Sequence, residues 1–149
     1  MQFNLKVFLL QGNDLILFMK KDIQIPKVEG VYLAIVNEYN DLYKTHDWNA
    51  YIINDKNIDL ELVLIVTNGY SEKKVTSTFR KKLDLLPKKS YAKIEFMPEE
   101  LFVLNNEFKV TFFEGNTMHE KNFLFRRNTI NEKAFQNIPL MEMKGILVK

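Results

Sequence analysis

Apolar residues recur at every second position over much of this chain, the period of a β-strand with one buried face. The clearest stretch runs from Trp48 to Tyr70. Trp48, Ala50 and Ile52 alternate there with Asn49, Tyr51 and Ile53. The polar turn Asn54-Asp55-Lys56-Asn57 follows, then Leu60, Leu62, Leu64 and Val66 at strict period two. Asn and Asp suit the turn because they tolerate left-handed backbone and bond their own main chain. The pattern predicts a hairpin whose apolar face requires a second layer, since a lone hairpin is marginal in water.

The rest of the chain supplies candidates for that layer. After Gly30, Val31, Leu33 and Ile35 alternate with Tyr32, Ala34 and Val36. Both faces are apolar, which predicts a central strand covered on each side. In VTSTFRKKL, Val75, Ser77 and Phe79 share the face assigned to the core, and the lysines suit an exposed edge. SYAKIEFM places Ala92, Ile94 and Phe96 inward and Tyr91, Lys93 and Glu95 outward. Pro98-Glu99-Glu100 opens a short helical turn. EFKVTFFEG sets Phe108, Val110 and Phe112 on one face, and Gly115-Asn116 turns it back into MHEKNFLFRR. Thr129-Ile130-Asn131-Glu132 matches a capping box for a second short turn. The tail from Pro139 to Lys149 adds a last strand.

About seven to eight short strands without a long amphipathic helix predict an all-β fold, an antiparallel β-sandwich of immunoglobulin-like kind. A barrel is the alternative. The expected core is one contiguous cluster of Trp48, Leu62, Leu64, Ile94, Phe108, Val110 and Phe112.

The first residues, MQFNLKVFLLQGNDLILFM, are cut by Gln11-Gly12-Asn13-Asp14, so neither half reaches the ~20 apolar residues of a membrane span. They also lack the basic start and small-residue cleavage site of a signal peptide. Two readings stand. Residues 3–9 and 15–19 form a hairpin, or translation starts at Met19, leaving residues 1–18 as an N-terminal appendage to a single sandwich domain over 19–149. The polar segment Lys20 to Glu29, with Pro26, reads as an extended lead-in.

A chain of 149 residues, 46% hydrophobic and with 12 Phe, fits one domain with a substantial core. It has no cysteine, which excludes disulfides, thiolate nucleophiles and cysteine-ligated metals and agrees with a cytoplasmic setting. A net charge of +2 does not by itself argue for nucleic acid.

Candidate chemistry is sparse. His46 and His119 are the only histidines, at no ligand spacing, and both are expected at the surface. Glu99 and Glu100 are adjacent rather than facing. There is no nucleophile elbow, phosphate-cradling loop or dinucleotide fingerprint, so no catalytic residue, cofactor or metal is expected. Charge is the one local feature: from Lys73 to Lys93, eight basic residues face Asp84 alone. Arg80, Lys81, Lys82, Lys88, Lys89 and Lys93 are the candidate binding surface. A solvated edge strand that resists aggregation explains the run. Phosphate contacts with base stacking explain it too, and an aromatic exposed between Lys81 and Lys93 would favour that alternative. The expected function is a non-enzymatic binding or scaffold module that engages a protein partner or forms a homodimer. An RNA-binding accessory is the alternative.

Gly30-Val31-Tyr32-Leu33-Ala34, Asp47-Trp48-Asn49-Ala50-Tyr51, Val63-Leu64-Ile65-Val66 with Asn68-Gly69-Tyr70, and Asn131-Glu132-Lys133-Ala134 carry a resemblance. Over about Asp22 to Lys149 the chain resembles a family of short bacterial proteins typical of the Bacteroidetes group. Some members bear the label phenylalanyl-tRNA synthetase subunit alpha, which makes a synthetase-related protein a distant third reading. The synthetase motif beginning aromatic-Arg-x-Glu is met only by Phe125-Arg126, with Asn128 in place of the Glu. The resemblance therefore implies no activity.

Overall fold

Alternation does produce strands: β1 Val31–Asn40, β2 Thr45–Asn54, β3 Leu60–Tyr70, β4 Phe79–Leu86, β5 Ser90–Phe96, β6 Asn105–Glu114, β7 Thr117–Phe125, β8 Gln136–Asn137 and β9 Lys144–Val148. The structure, a computed structural model, describes residues 27–149. The expected N-terminal hairpin, the appendage over 1–18 and the Met19 start lie outside the described residues, as does most of the lead-in. The strands form two antiparallel sheets, β5-β2-β1-β9-β8 and β4-β3-β6-β7. This is an all-β sandwich. Its two short 3-10 turns, Glu99–Val103 and Glu132–Ala134, fall where helical turns were expected. Asn131 rather than Thr129 caps the second, its side chain accepting from the Lys133 N–H.

The expected hairpin from Trp48 to Tyr70 is not one. β2 pairs with β1 and β5, while β3 pairs with β4 and β6 in the other sheet. Period two reports which face a residue takes, not which strand it pairs with. The link between them crosses from sheet to sheet and is pinned by Asn54, which is fully buried. Its Nδ2 donates to the carbonyls of Ile58, Leu86 and Pro87 at 3.0, 3.1 and 3.1 Å, and its Oδ1 accepts from the Lys56 N–H at 3.0 Å. One side chain thus ties two sheet-to-sheet crossings together.

Between the sheets lies one core that includes Val31, Leu33, Ile35, Trp48, Ile52, Val63, Ile65, Phe108, Val110, Phe112, Phe123 and Phe125. Trp48 meets Phe102 and Phe135 edge-on at 5.4 and 5.8 Å. β1 is central, as its two apolar faces required: Ala34 and Val36 belong to a second cluster with Ile53 and Ile138 on the outer side of the sheet.

Two β-bulges overturn expected facings. The pairing of β3 with β6 shifts between Glu61 and Leu64, where Leu62 takes a left-handed φ of +49°. One extra residue reverses every facing beyond it. Leu60 is therefore buried, but Val63 and Ile65 follow it inward, and Leu62 and Leu64 are excluded from the core they were expected to join. In β5 the register with β2 shifts between Ala50 and Tyr51, so Lys93 and Glu95 pair with consecutive residues and Ile94 is the extra one. Ile94 stays buried, Glu95 faces inward opposite Ala50, and Phe96 is 53% exposed instead of inward. Val75 and Phe79 are also exposed, because β4 begins only at Phe79, at the open side of its sheet.

Candidate functional site

The expected basic surface gathers along one side of the sandwich. β4 and β5 are the outermost strands of their sheets and lie against each other. Their cations nevertheless point in different directions. Arg80 and Lys82 pair with Val66 and Leu64 on the outer face of the second sheet, whereas Lys81 pairs with the buried Ile65. Lys93 pairs with Tyr51 on the outer face of the first sheet. Lys88 and Lys89 occupy the crossing between the sheets, where Asp59 meets the Lys88 backbone and Asp55 the Lys89 ammonium. The Lys88 N–H donates to Asp59 Oδ1 at 2.8 Å, and Lys89 Nζ reaches Asp55 Oδ1 at 3.0 Å. Tyr91, next to Lys93, is 44% exposed and meets Tyr51 edge-on at 5.8 Å.

His46 is exposed, as expected, whereas His119 is only partly exposed. It pairs with Phe112 across β6 and β7, so it faces the interior and stacks on the Phe112 ring at 5.2 Å. Its Nε2 lies 3.6 Å from Glu114 Oε2, and Glu114 also pairs with Lys56. Lys121, two residues on, faces the same way, and burial lowers its ammonium pKa. Inward-pointing polar groups on an edge strand deter pairing with another chain. Among the described residues no group of three His, Asp or Glu could hold a metal.

The outer face of the first sheet is covered over β1, while Tyr91 and Phe96 stay exposed at its β5 edge. Ile138 and Met141 pack over Ala34, Val36 and Ile53. Beside them Glu38 Oε1 accepts from Asn49 Nδ2 at 2.7 Å and from the Tyr51 hydroxyl at 2.5 Å. Burial, then the hydrogen bond to Glu38, pushes the Tyr51 hydroxyl pKa up. At the rim, Asp47 accepts from Asn40 and Thr45, which hold its carboxyl below its ordinary value.

Among the described residues the outer face of the second sheet is open, and it is the site that sequence reasoning missed. Leu64, 40% exposed, lies between Lys82 on β4 and Thr111 on β6, and Thr111 lies beside Glu120 on β7. In a neighbouring row Glu61 separates Leu85 from Phe113, which pairs with Met118. Met118 is 56% exposed and Leu62 at the bulge 52%. Leu64, Leu85 and Met118 thus leave apolar surface exposed on this face, interrupted by Glu61 and Thr111. Lys82 and Arg80 rim it along β4, and Glu120 rims it along β7.

Phe125 and Asn128, which overlap the synthetase motif, have local structural roles. Phe125 is buried against Phe108, and Asn128 occupies a left-handed turn, φ +63°, with its N–H on the Phe102 carbonyl. Compared with known proteins, the chain matches no family model and no curated protein.

Proposed function

We propose that this chain is a non-enzymatic binding module that pairs with a second copy of itself through the outer face of the second sheet. The apolar residues exposed on that face, with Lys82 and Arg80 on one side and Glu120 on the other, carry the reading. Lys82, Leu64, Thr111 and Glu120 form one row across the sheet. A twofold axis along the strands, between β3 and β6, would set Lys82 of each copy over Glu120 of the other. The aligned face-to-face packing this implies is the ordinary way two β-sheets meet. Leu62 supports the reading, because a bulky residue in left-handed backbone and in water brings the isolated fold no benefit. An immunoglobulin-like frame, used elsewhere for many binding tasks, suits this role, as does a cytoplasmic setting for a chain without cysteine.

Charge exchange tests it. Lys82→Glu and Glu120→Lys should each weaken self-association by roughly tenfold, since two symmetry-related pairs of ~0.2–1 kcal/mol are lost and like charges meet. The double exchange should restore it. A double variant no stronger than the singles would contradict the pairing.

An RNA-binding accessory is the second reading, and the exposure of Tyr91 beside Lys93 favours it. It requires binding of single-stranded RNA that falls steeply with salt and flattens when Lys81, Lys82, Lys88 and Lys89 become Gln.

A further inference from the structure

The bulge in β5 has a chemical consequence at the open end of the sandwich. It turns Glu95 inward, opposite Ala50, toward Thr67 of the other sheet. Thr67 Oγ1 donates to Glu95 Oε1 at 3.2 Å, and among the described residues no cation pairs with this carboxyl. A carboxylate has about four acceptor positions, so most remain for an occupant.

The same residue lines a cleft of about 210 Å³, against ~30 Å³ for one water in the liquid. Phe79, Phe96 and Phe108 line it too, with Thr76 and Ser77 on the segment leading into β4. Gly69 lets that segment approach. Thr76 accepts the Gly69 N–H and donates its own N–H to the Gly69 carbonyl, each at 2.8 Å. A Cβ at Gly69 would sit 3.1 to 3.3 Å from Asn106, Leu104 and Thr76, tighter than ordinary contact.

We propose that this cleft binds a primary alkylammonium group, held by the Glu95 carboxylate, with its alkyl chain against the exposed Phe79 at the mouth of the cleft. A lone carboxylate beside an apolar wall suits an organic cation, which gains from both the charge and the apolar contact. A bare divalent metal would need several oxygen ligands. An anion would be repelled. Burial raises the Glu95 carboxyl pKa, with the Thr67 hydrogen bond only partly opposing it. The charge is therefore poorly supported in the empty cleft, and an ammonium group supplies what it lacks.

The test titrates n-butylammonium chloride into the full chain and follows the backbone amides of Thr67, Gly69 and Thr76 by NMR. Sodium butyrate and n-butanol serve as anionic and neutral probes of the same length. Saturable shifts with butylammonium alone, weakened at least tenfold in Glu95→Gln, are expected. Thermal melting of Glu95→Gln should show a fold at least as stable as wild type at neutral pH, which separates lost binding from lost structure. Spermidine and Nα-acetyl-lysine N-methylamide, run in parallel, distinguish a free polyamine from a lysine side chain; saturation by either supports the assignment. Equal shifts from butanol, no saturation by any amine, or undiminished binding by Glu95→Gln would overturn it.

Discussion

On the outer face of the first sheet, Ala34, Val36 and Ile53 are buried because the chain returns across them with Ile138 and Met141. On the outer face of the second sheet, Leu64, Leu85 and Met118 are apolar as well, and among the described residues nothing covers them. Both sheets share one core, so the difference lies in what each outer face requires. The first face is covered over β1 within the chain, and the apolar residues there serve folding. The second carries exposed apolar residues that no described residue covers, which is why we read it as a surface for a second molecule. The edges sharpen the contrast. Lysines on β4, inward His119 and Lys121 on β7, and a β8 of two residues all discourage edge-to-edge pairing. Contact through a face avoids these three edges.

Truncation separates the two faces most strongly. Ile138→Ala should cost about 2–5 kcal/mol of stability, the usual range for a buried isoleucine, read from denaturant midpoints. Leu64→Ala, measured on dilute protein, should stay within ~0.5 kcal/mol of wild type, as exposed substitutions do. Equal losses at the two sites would remove the contrast.

A second expectation concerns a residue that, like Leu64, is placed against the needs of folding. The Glu95 pKa is raised in the fold, so the folded state binds that proton more tightly than the unfolded state does. The stabilisation is fully present below the ordinary glutamate range and is lost as pH rises through the raised value. Glu95→Gln should therefore match wild type in acid and exceed it at neutral pH. A variant less stable at neutral pH would make Glu95 a structural carboxylate instead.

The smallest effect lies at the bulge. Leu62→Asn, which tolerates left-handed backbone, should raise monomer stability by ~0.5–1 kcal/mol while weakening self-association. A loss of stability would show that Leu62 serves the fold after all.

What the chain discloses before folding follows the same division. β6 pairs with β7 without a break from Asn106 to Glu114, and the inward facing of Phe108, Val110 and Phe112 is legible directly from alternation. The same holds for β1, whose two apolar faces foretell two coverings. Alternation fails in β3 and β5, where one extra residue shifts the phase without leaving a compositional mark: Leu62 is neither Gly nor Asn, and Ile94 is a good strand residue. Both candidate sites follow from those bulges. Leu64 reads as core until its phase is reversed, and Glu95 reads as a solvated charge until it is turned inward. The partner of β2 was hidden for another reason, since Asn54 looks like any hairpin turn residue until its contacts to Leu86 and Pro87 are seen.

Sedimentation velocity across micromolar to millimolar concentrations, on wild type and Leu64→Asp, tests the central claim most directly. Wild type should shift from monomer to dimer as concentration rises, and Leu64→Asp should remain monomeric with an unchanged thermal melt. A wild type that stays monomeric throughout, or a Leu64→Asp variant that dimerises equally well, would contradict it.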